Sequence, residues 1–450
     1  MARTRDMTKG NIFLHIILYA LPMIFGNYLQ LTYNMADSII IGKYLGEDSL
    51  AAVSLVNPIM TLMILGASGI GMGASIIIAR LFGADEKERL KREFSTVVIA
   101  GTIFSIAVFL LGSILSRQIL MLIKTPDEIM AESLTYLRIM FVGFLFTFQY
   151  NIMSHALRGI GNTVMPVVFL GISCALNVIL DLLFISQFNM GSEGAGLATV
   201  ISQAVSVVCC IVYIYLKCDL LSLGRKDFVI DHKLLRETSA LGFVTALQQA
   251  AQPVGKFFIQ RTINSCGVTV IGAFNAVCRV DDFACIPAQS IGSGIMTCVA
   301  QNIGHKDGTR VRKTMRYGLL AALCYFPLIA GAVLLLKRPL MTVLTPDGAD
   351  LMIQMGITYL SAKAWIFLLA CIVNANQGYL RGASKMHIAL ISTIIQITIR
   401  AVLVYFWVPQ MGIVAEAYAC AIGWIAQTVF GYGYYFLKLR KFSFDTDEDP

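Results

Sequence analysis

Apolar runs long enough to cross a bilayer follow one another from end to end of this 450-residue chain, separated only by short polar loops. A helix needs about 20 apolar residues to span a hydrocarbon core roughly 30 Å thick. The runs reach that length without the two-residue alternation of a barrel strand. Charged residues make up only 14% of the chain and hydrophobic ones 57%, whereas soluble domains carry about 25% and about 45–50%. The runs predict helices near 12–41, 50–79, 94–116, 133–157, 164–186, 194–216, 239–260, 268–300, 317–336, 350–379, 387–408 and 412–437. The first run is too long for a cleaved leader, holds Pro22 and lacks a small-residue cleavage site, so it is expected to stay in the protein.

Lysine and arginine orient the helices. The N-terminus, the loops after the even-numbered helices and the C-terminus hold about 24 of the 35 basic residues. Positive loops stay on the cytoplasmic side, so both termini are expected inside, in the inner (plasma) membrane. The net charge of +8 is therefore a topology signal. A nucleic-acid partner would need those residues gathered on one exposed face, and none is expected. The eleven cysteines form no C-x-x-C and no cluster with histidine. They read as small buried residues.

The chain also repeats itself. Gly71 and Gly73 recur as Gly292 and Gly294, and Gly83 recurs as Gly304. Thr125-Pro126-Asp127 recurs as Thr345-Pro346-Asp347, Asn151 as Asn374, and Leu157-Arg158-Gly159 as Leu380-Arg381-Gly382. One register over a whole half marks a duplication. Six helices per copy return the chain to the same side. The expected fold is therefore an all-α integral membrane protein: twelve transmembrane helices in two parallel six-helix lobes, related by a pseudo-two-fold along the membrane normal. The lobes are expected at 1–217 and 237–450, joined by a polar, basic cytoplasmic linker at 218–236. Transporters built from such repeats hold substrate between the halves.

Ionisable side chains inside apolar runs cost roughly 2.5–3.5 kcal/mol on insertion scales and so require a partner or a role. Asp37 lies in the first run; Asn177 and Asp181 lie in the fifth, four residues apart and on one helix face; Thr199 lies in the sixth. Two carboxylates, an amide oxygen and a hydroxyl suit Na⁺, and the same pair suits a proton. The alternatives are an interfacial Asp37 and an Asn177 that serves as a packing contact. The packing reading is the stronger one for Asn177 alone, and the site reading is the stronger one for the two aspartates together. In the second copy Asn177 becomes Arg400 and Asp181 becomes Val404, which points to a single coupling site in the first half. Arg400 is expected either to face substrate or to pair with Glu416. Asp281 and Asp282 are adjacent in the eighth run. Either one pairs with Arg279 or Lys256 and leaves the other toward a central cavity, or both serve in structural salt bridges; the sequence leaves the two readings evenly open.

Several stretches resemble the multidrug and toxic compound extrusion (MATE) family, closest to its bacterial and archaeal DinF-like branch. They are Tyr33-Asn34-Met35-Ala36-Asp37, Gly46-Glu47-Asp48-Ser49-Leu50-Ala51-Ala52-Val53, Leu157-Arg158-Gly159, Leu176-Asn177-Val178-Ile179-Leu180-Asp181 and Ala198-Thr199. The resemblance implies export driven by inward Na⁺ or H⁺ movement, with a cation site at Asp37, Asn177, Asp181 and Thr199. It also implies a polar first-lobe cavity that includes Gln30, Tyr33, Tyr136 and Asn151. Ser154 stands where the family has an asparagine. The expected function is a cation-coupled antiporter, not an enzyme, that exports small organic compounds of cationic or amphipathic character. No cofactor beyond the coupling ion is expected, and the partners expected are a small-molecule substrate and membrane lipid, with the protein a monomer. A lipid-linked oligosaccharide flippase and an integral-membrane enzyme are the rival readings.

Overall fold

The computed structural model describes residues 4–345 and 349–439, so Pro346 and Asp347 of the repeated motif lie outside the described residues. Twelve α-helices account for most of these residues, and no strand occurs among them. The first six are α1 (Ile12–Tyr44), α2 (Gly46–Gly83), α3 (Lys87–Leu122), α4 (Asp127–Gly159), α5 (Val164–Asp181) and α6 (Gly191–Lys217). The second six are α7 (His232–Asn264), α8 (Val268–Gly304), α9 (Gly308–Leu344), α10 (Asp350–Gly382), α11 (Met386–Met411) and α12 (Val414–Tyr434). The expected all-α, twelve-helix class is what the chain adopts. α3 and α9 run past their apolar cores at both ends, because the flanking charged and polar residues are themselves good helix formers. Pro22 sits inside α1 without ending it.

Ten helices are long and apolar enough to cross a membrane by length and composition, α7 and α12 not being among them. In α7, glutamines and cations interrupt the apolar face, and the structure gives one of them a defined role. Gln248 Nε2 donates to Gln377 Oε1 at 2.7 Å, to Thr393 Oγ1 at 3.1 Å and to the Ala389 carbonyl at 3.2 Å. All eleven cysteines are free.

Packing divides the chain into two compact units. The first comprises residues 1–5 and 25–246, and the second 6–24 and 247–450. The repeat alone placed the division at 218–236. Packing instead assigns the leading half of α1 to the second unit and the leading half of α7, with the linker, to the first.

The repeated glycines seat these half-helices. An ideal Cβ on Gly73 of α2 would come 2.8 Å from Gly242 N and 2.8 Å from the Thr238 carbonyl, both on α7. Its repeat, Gly294 of α8, faces the Ile16 carbonyl of α1 at 3.2 Å. Lipid supplies no hydrophobic drive between helices, so close backbone approach over small residues does much of the work of association. Gly73→Val is expected to destabilise the protein by about 1–3 kcal/mol through overpacking, read as a lower melting temperature of the purified chain. Gly66→Val, on the same helix with nothing within 4 Å of its Cβ position, should leave that temperature unchanged.

Candidate functional site

The polar cluster of the first unit is built from α1, α4, α5 and α6. Asn177 and Asp181 are one turn apart on α5, and both are buried, at 2% and 0% exposure. Asp181 is the last α-helical residue of α5; the chain continues as a π-helical segment over Leu182–Gln187, a local widening that often accompanies functional sites. Thr199 lies two turns into α6, its hydroxyl donating to the Ala195 carbonyl at 3.1 Å. The amide of Asn177 fits its neighbours when Nδ2 donates to Asp181 Oδ2 at 2.8 Å and to the Tyr33 hydroxyl at 3.2 Å. Its oxygen then accepts from the Thr199 backbone N–H at 3.1 Å. Asn177 thus ties α1, α5 and α6 together around the acids.

The carboxyl groups of Asp37 and Asp181 lie within hydrogen-bonding reach of each other. The Oδ1 atom of each is buried and finds no donor among the described residues. An ionised carboxylate only accepts hydrogen bonds, and two of them this close repel unless a proton or a cation sits between them. Orphaned oxygens, an amide and hydroxyls form a donor set for a hard monovalent cation or a proton. No group of three or more His, Cys, Asp and Glu side chains that could hold a metal ion occurs among the described residues.

Tyr136 of α4 and Tyr33 of α1 both feel the charge of Asp37 and Asp181, and the Tyr33 hydroxyl hydrogen-bonds to Thr199. Tyr136 belongs to an apolar cluster with Ile41, Val56, Leu137, Phe141 and Ala195. The structure therefore brings Asp37, Asn177, Asp181, Thr199, Tyr33 and Tyr136 into one place. Gln30 stays on the exposed side of α1. Asn151 donates to the Thr147 carbonyl one turn back on its own helix at 2.8 Å.

In the second unit the corresponding region is filled with charge of both signs. Arg400 of α11 donates through Nε to Glu416 Oε1 at 2.8 Å, and its Nη2 also contacts that oxygen. Lys363 of α10 lies 3.0 Å from Asp281 Oδ2 and 3.4 Å from Glu416 Oε2. The Tyr359 hydroxyl donates to Glu416 Oε2 as well. Lys363 and Glu416 are essentially inaccessible, at 1% and 0% exposure. Of the two outcomes expected for Arg400, the structure displays the pair with Glu416.

Of the two outcomes left open for Asp281 and Asp282, the structure displays the salt bridges: Asp282 pairs with Lys256 at 3.2 Å on an exposed face, and Asp281 pairs with Lys363 at 3.0 Å. The physical reason is a second cation on α10, at position 363, which the sequence reading left without a partner. Lys363 and Tyr359 are the site residues that reading missed. The available signal was the repeat, since Tyr359 stands 223 residues after Tyr136, the same offset that relates Arg400 to Asn177.

The model of the MatE family matches residues 22–183 and 245–406. The second match is the first displaced by 223 residues at both ends, the shift that relates Asn151 to Asn374 and Leu157 to Leu380. A probable multidrug resistance protein of Bacillus subtilis, YpnP, is 31% identical over 319 residues, 68% of each chain. The multidrug export protein MepA of Staphylococcus saprophyticus is 24% identical over 84% of this chain and 85% of its own. Among solved structures, a MOP superfamily transporter from Pyrococcus furiosus aligns with a TM-score of 0.88 at 21% identity, over 96% of this chain and 97% of its own. An outward-facing multidrug resistance MATE transporter aligns with a TM-score of 0.90 at 20% identity, over 97% and 98%. These two structures support the fold.

Proposed function

The chain belongs to the MatE family, and from that premise we propose that it is a cation-coupled antiporter that exports small organic compounds, cationic or amphipathic in character. The observation that carries the proposal is the pair of carboxyls, Asp37 and Asp181, each with a buried Oδ1 atom that has no donor among the described residues. The relatives named for multidrug resistance and export support the substrate class. The basic loops support an inner-membrane location with both termini cytoplasmic.

Coupling follows from electrostatics. Two carboxylates about 4 Å apart at an effective dielectric of about 20 repel by about 4 kcal/mol. A proton or Na⁺ between them removes that repulsion and draws α1 toward α5; loss of the cation restores it. Moving a two-state equilibrium from 1:99 to 99:1 takes about 5.5 kcal/mol of differential affinity, so one cation at this pair supplies most of what a switch needs. α1 continues without a break from the first unit into the second. A displacement at Asp37 is therefore passed along a continuous helix.

The second unit takes no external cation in this scheme. Where the first unit sets two acids with no side-chain cation in ion-pair contact among the described residues, the second sets Asp281 and Glu416 against Lys363 and Arg400. Its counter-ions are covalently attached.

The test is ethidium efflux from energised cells under Na⁺ and H⁺ gradients imposed one at a time. The proposal expects efflux that follows one of the two gradients. Efflux of ethidium and of other lipophilic cations that ignores both gradients would favour a different cargo, such as the lipid-linked sugars of a flippase.

A further inference from the structure

A second buried acid lies outside the polar cluster, at the linker end of the first unit. Glu93, in the second turn of α3, has 0% exposure. One carboxyl oxygen, Oε1, is 2.5 Å from the hydroxyl of Thr238 on the exchanged half of α7. The other, Oε2, is buried with no partner. No lysine, arginine or histidine lies within ion-pair distance of it among the described residues. The charged groups acting on it are Glu237 of α7 and Asp231 of the linker, both acidic. Arg80, the cation that α2 brings to this end, contacts Glu237 at 3.5 Å.

The next residues of α3 fasten the linker. Ser95 Oγ accepts from the Val229 N–H at 3.0 Å, and Thr96 Oγ1 accepts from the Asp231 N–H at 2.9 Å. Gly69 and Gly73 of α2 leave room for the backbone of the same half-helix. Glu93 thus lies beneath a docked segment, residues 229–246, which covers it and brings it two acidic neighbours. An ionised carboxylate buried without a cation is costly by several kcal/mol. The docked arrangement therefore favours the neutral carboxyl.

We propose that Glu93 is a proton-binding site, separate from the Asp37/Asp181 pair, that fastens the linker and the leading half of α7 to the first unit. Proton uptake at Glu93 accompanies docking, and ionisation accompanies release. The sign follows from linkage: the docked state binds one more proton than the released state, so docking weakens as pH rises. The released population grows by up to about tenfold per pH unit while this single proton is exchanged.

The test compares the purified full-length wild type with Glu93→Gln, which is neutral at every pH. Limited trypsin cleavage is followed at Lys233 and Arg236, which lie in the first turns of α7. The ratio of wild-type to variant rate should climb by up to about tenfold per pH unit from about pH 6 until the docked carboxyl itself ionises, at about pH 8, and level off above that. Taking the ratio at each pH removes the pH dependence of the protease. A ratio that stays flat overturns the proposal. Should Glu93→Gln fail to fold, an infrared titration of Asp37→Asn/Asp181→Asn, in which Glu93 is intact, decides instead. The proposal expects a carboxylic-acid carbonyl band that persists at neutral pH and disappears as the linker becomes cleavable. Absence of that band overturns it.

Discussion

Glu416→Ala is expected to destabilise the protein by about 3–5 kcal/mol, the usual cost of removing one partner from a buried ion pair. Glu416 accepts from Arg400 and Tyr359 and faces Lys363. Its loss leaves one guanidinium without its carboxylate and deprives Lys363 of one of two acids. The salt bridge of Asp281 is made with Lys363 and not with Arg400. Thermal unfolding of the purified protein in detergent reads the effect directly. Asp282→Ala is the contrasting case. Its pair with Lys256 is more than half exposed on both sides, and removing an exposed pair changes stability by about 1 kcal/mol or less.

The second large effect is on transport. Asp37→Asn and Asp181→Asn are each expected to reduce gradient-driven efflux to the uncoupled background while leaving a folded protein. An amide keeps the shape of the carboxyl and removes the repulsion that the cation is proposed to relieve. The double variant should be no worse than either single one, since groups that act as a unit lose their effect together. Independent losses, in which the double variant is far more impaired than both singles, would separate the two acids into different roles. Measurement of efflux rates in reconstituted vesicles, with protein amounts matched, distinguishes these outcomes.

Much of this architecture was legible before any coordinates. Apolar runs report helices that face lipid, and the recurrence of Gly71, Gly73, Leu157-Arg158-Gly159 and their partners reports the duplication. The acids were legible because a carboxylate in an apolar run is expensive and therefore conspicuous. Asn177 could be placed beside Asp181 because four residues make one turn of one helix. Tyr33 and Tyr136 entered only through the family resemblance, since an aromatic residue in a membrane helix carries no signal of its own.

What escaped the sequence is partnership across helices. Lys363 and Asp281 are 82 residues apart, and no local pattern ties a lysine of α10 to an aspartate of α8. The exchange of half-helices was hidden for a related reason. The apolar runs place helices at 12–41 and 239–260, but they cannot show which unit covers the leading end of each. The duplicated glycines held that information, for a small residue on α2 implies a close neighbour without naming it. Glu93 was passed over because it lies beside charged Lys91 and Arg92 at a helix end. Only the docked linker turns that ordinary position into a buried one.

The central claim is that transport is coupled to one exchangeable cation, held by Asp37 and Asp181. The most direct measurement is the number of coupling cations bound per chain: radiolabelled Na⁺ at equilibrium, and protons released into weakly buffered solution on addition of tetraphenylphosphonium. It is made on purified wild type, Asp181→Asn and Lys363→Met. The account predicts one cation per wild-type chain by one of the two readouts, none in Asp181→Asn, and an intact first-unit cation in Lys363→Met. Undiminished binding and release in Asp181→Asn would contradict it.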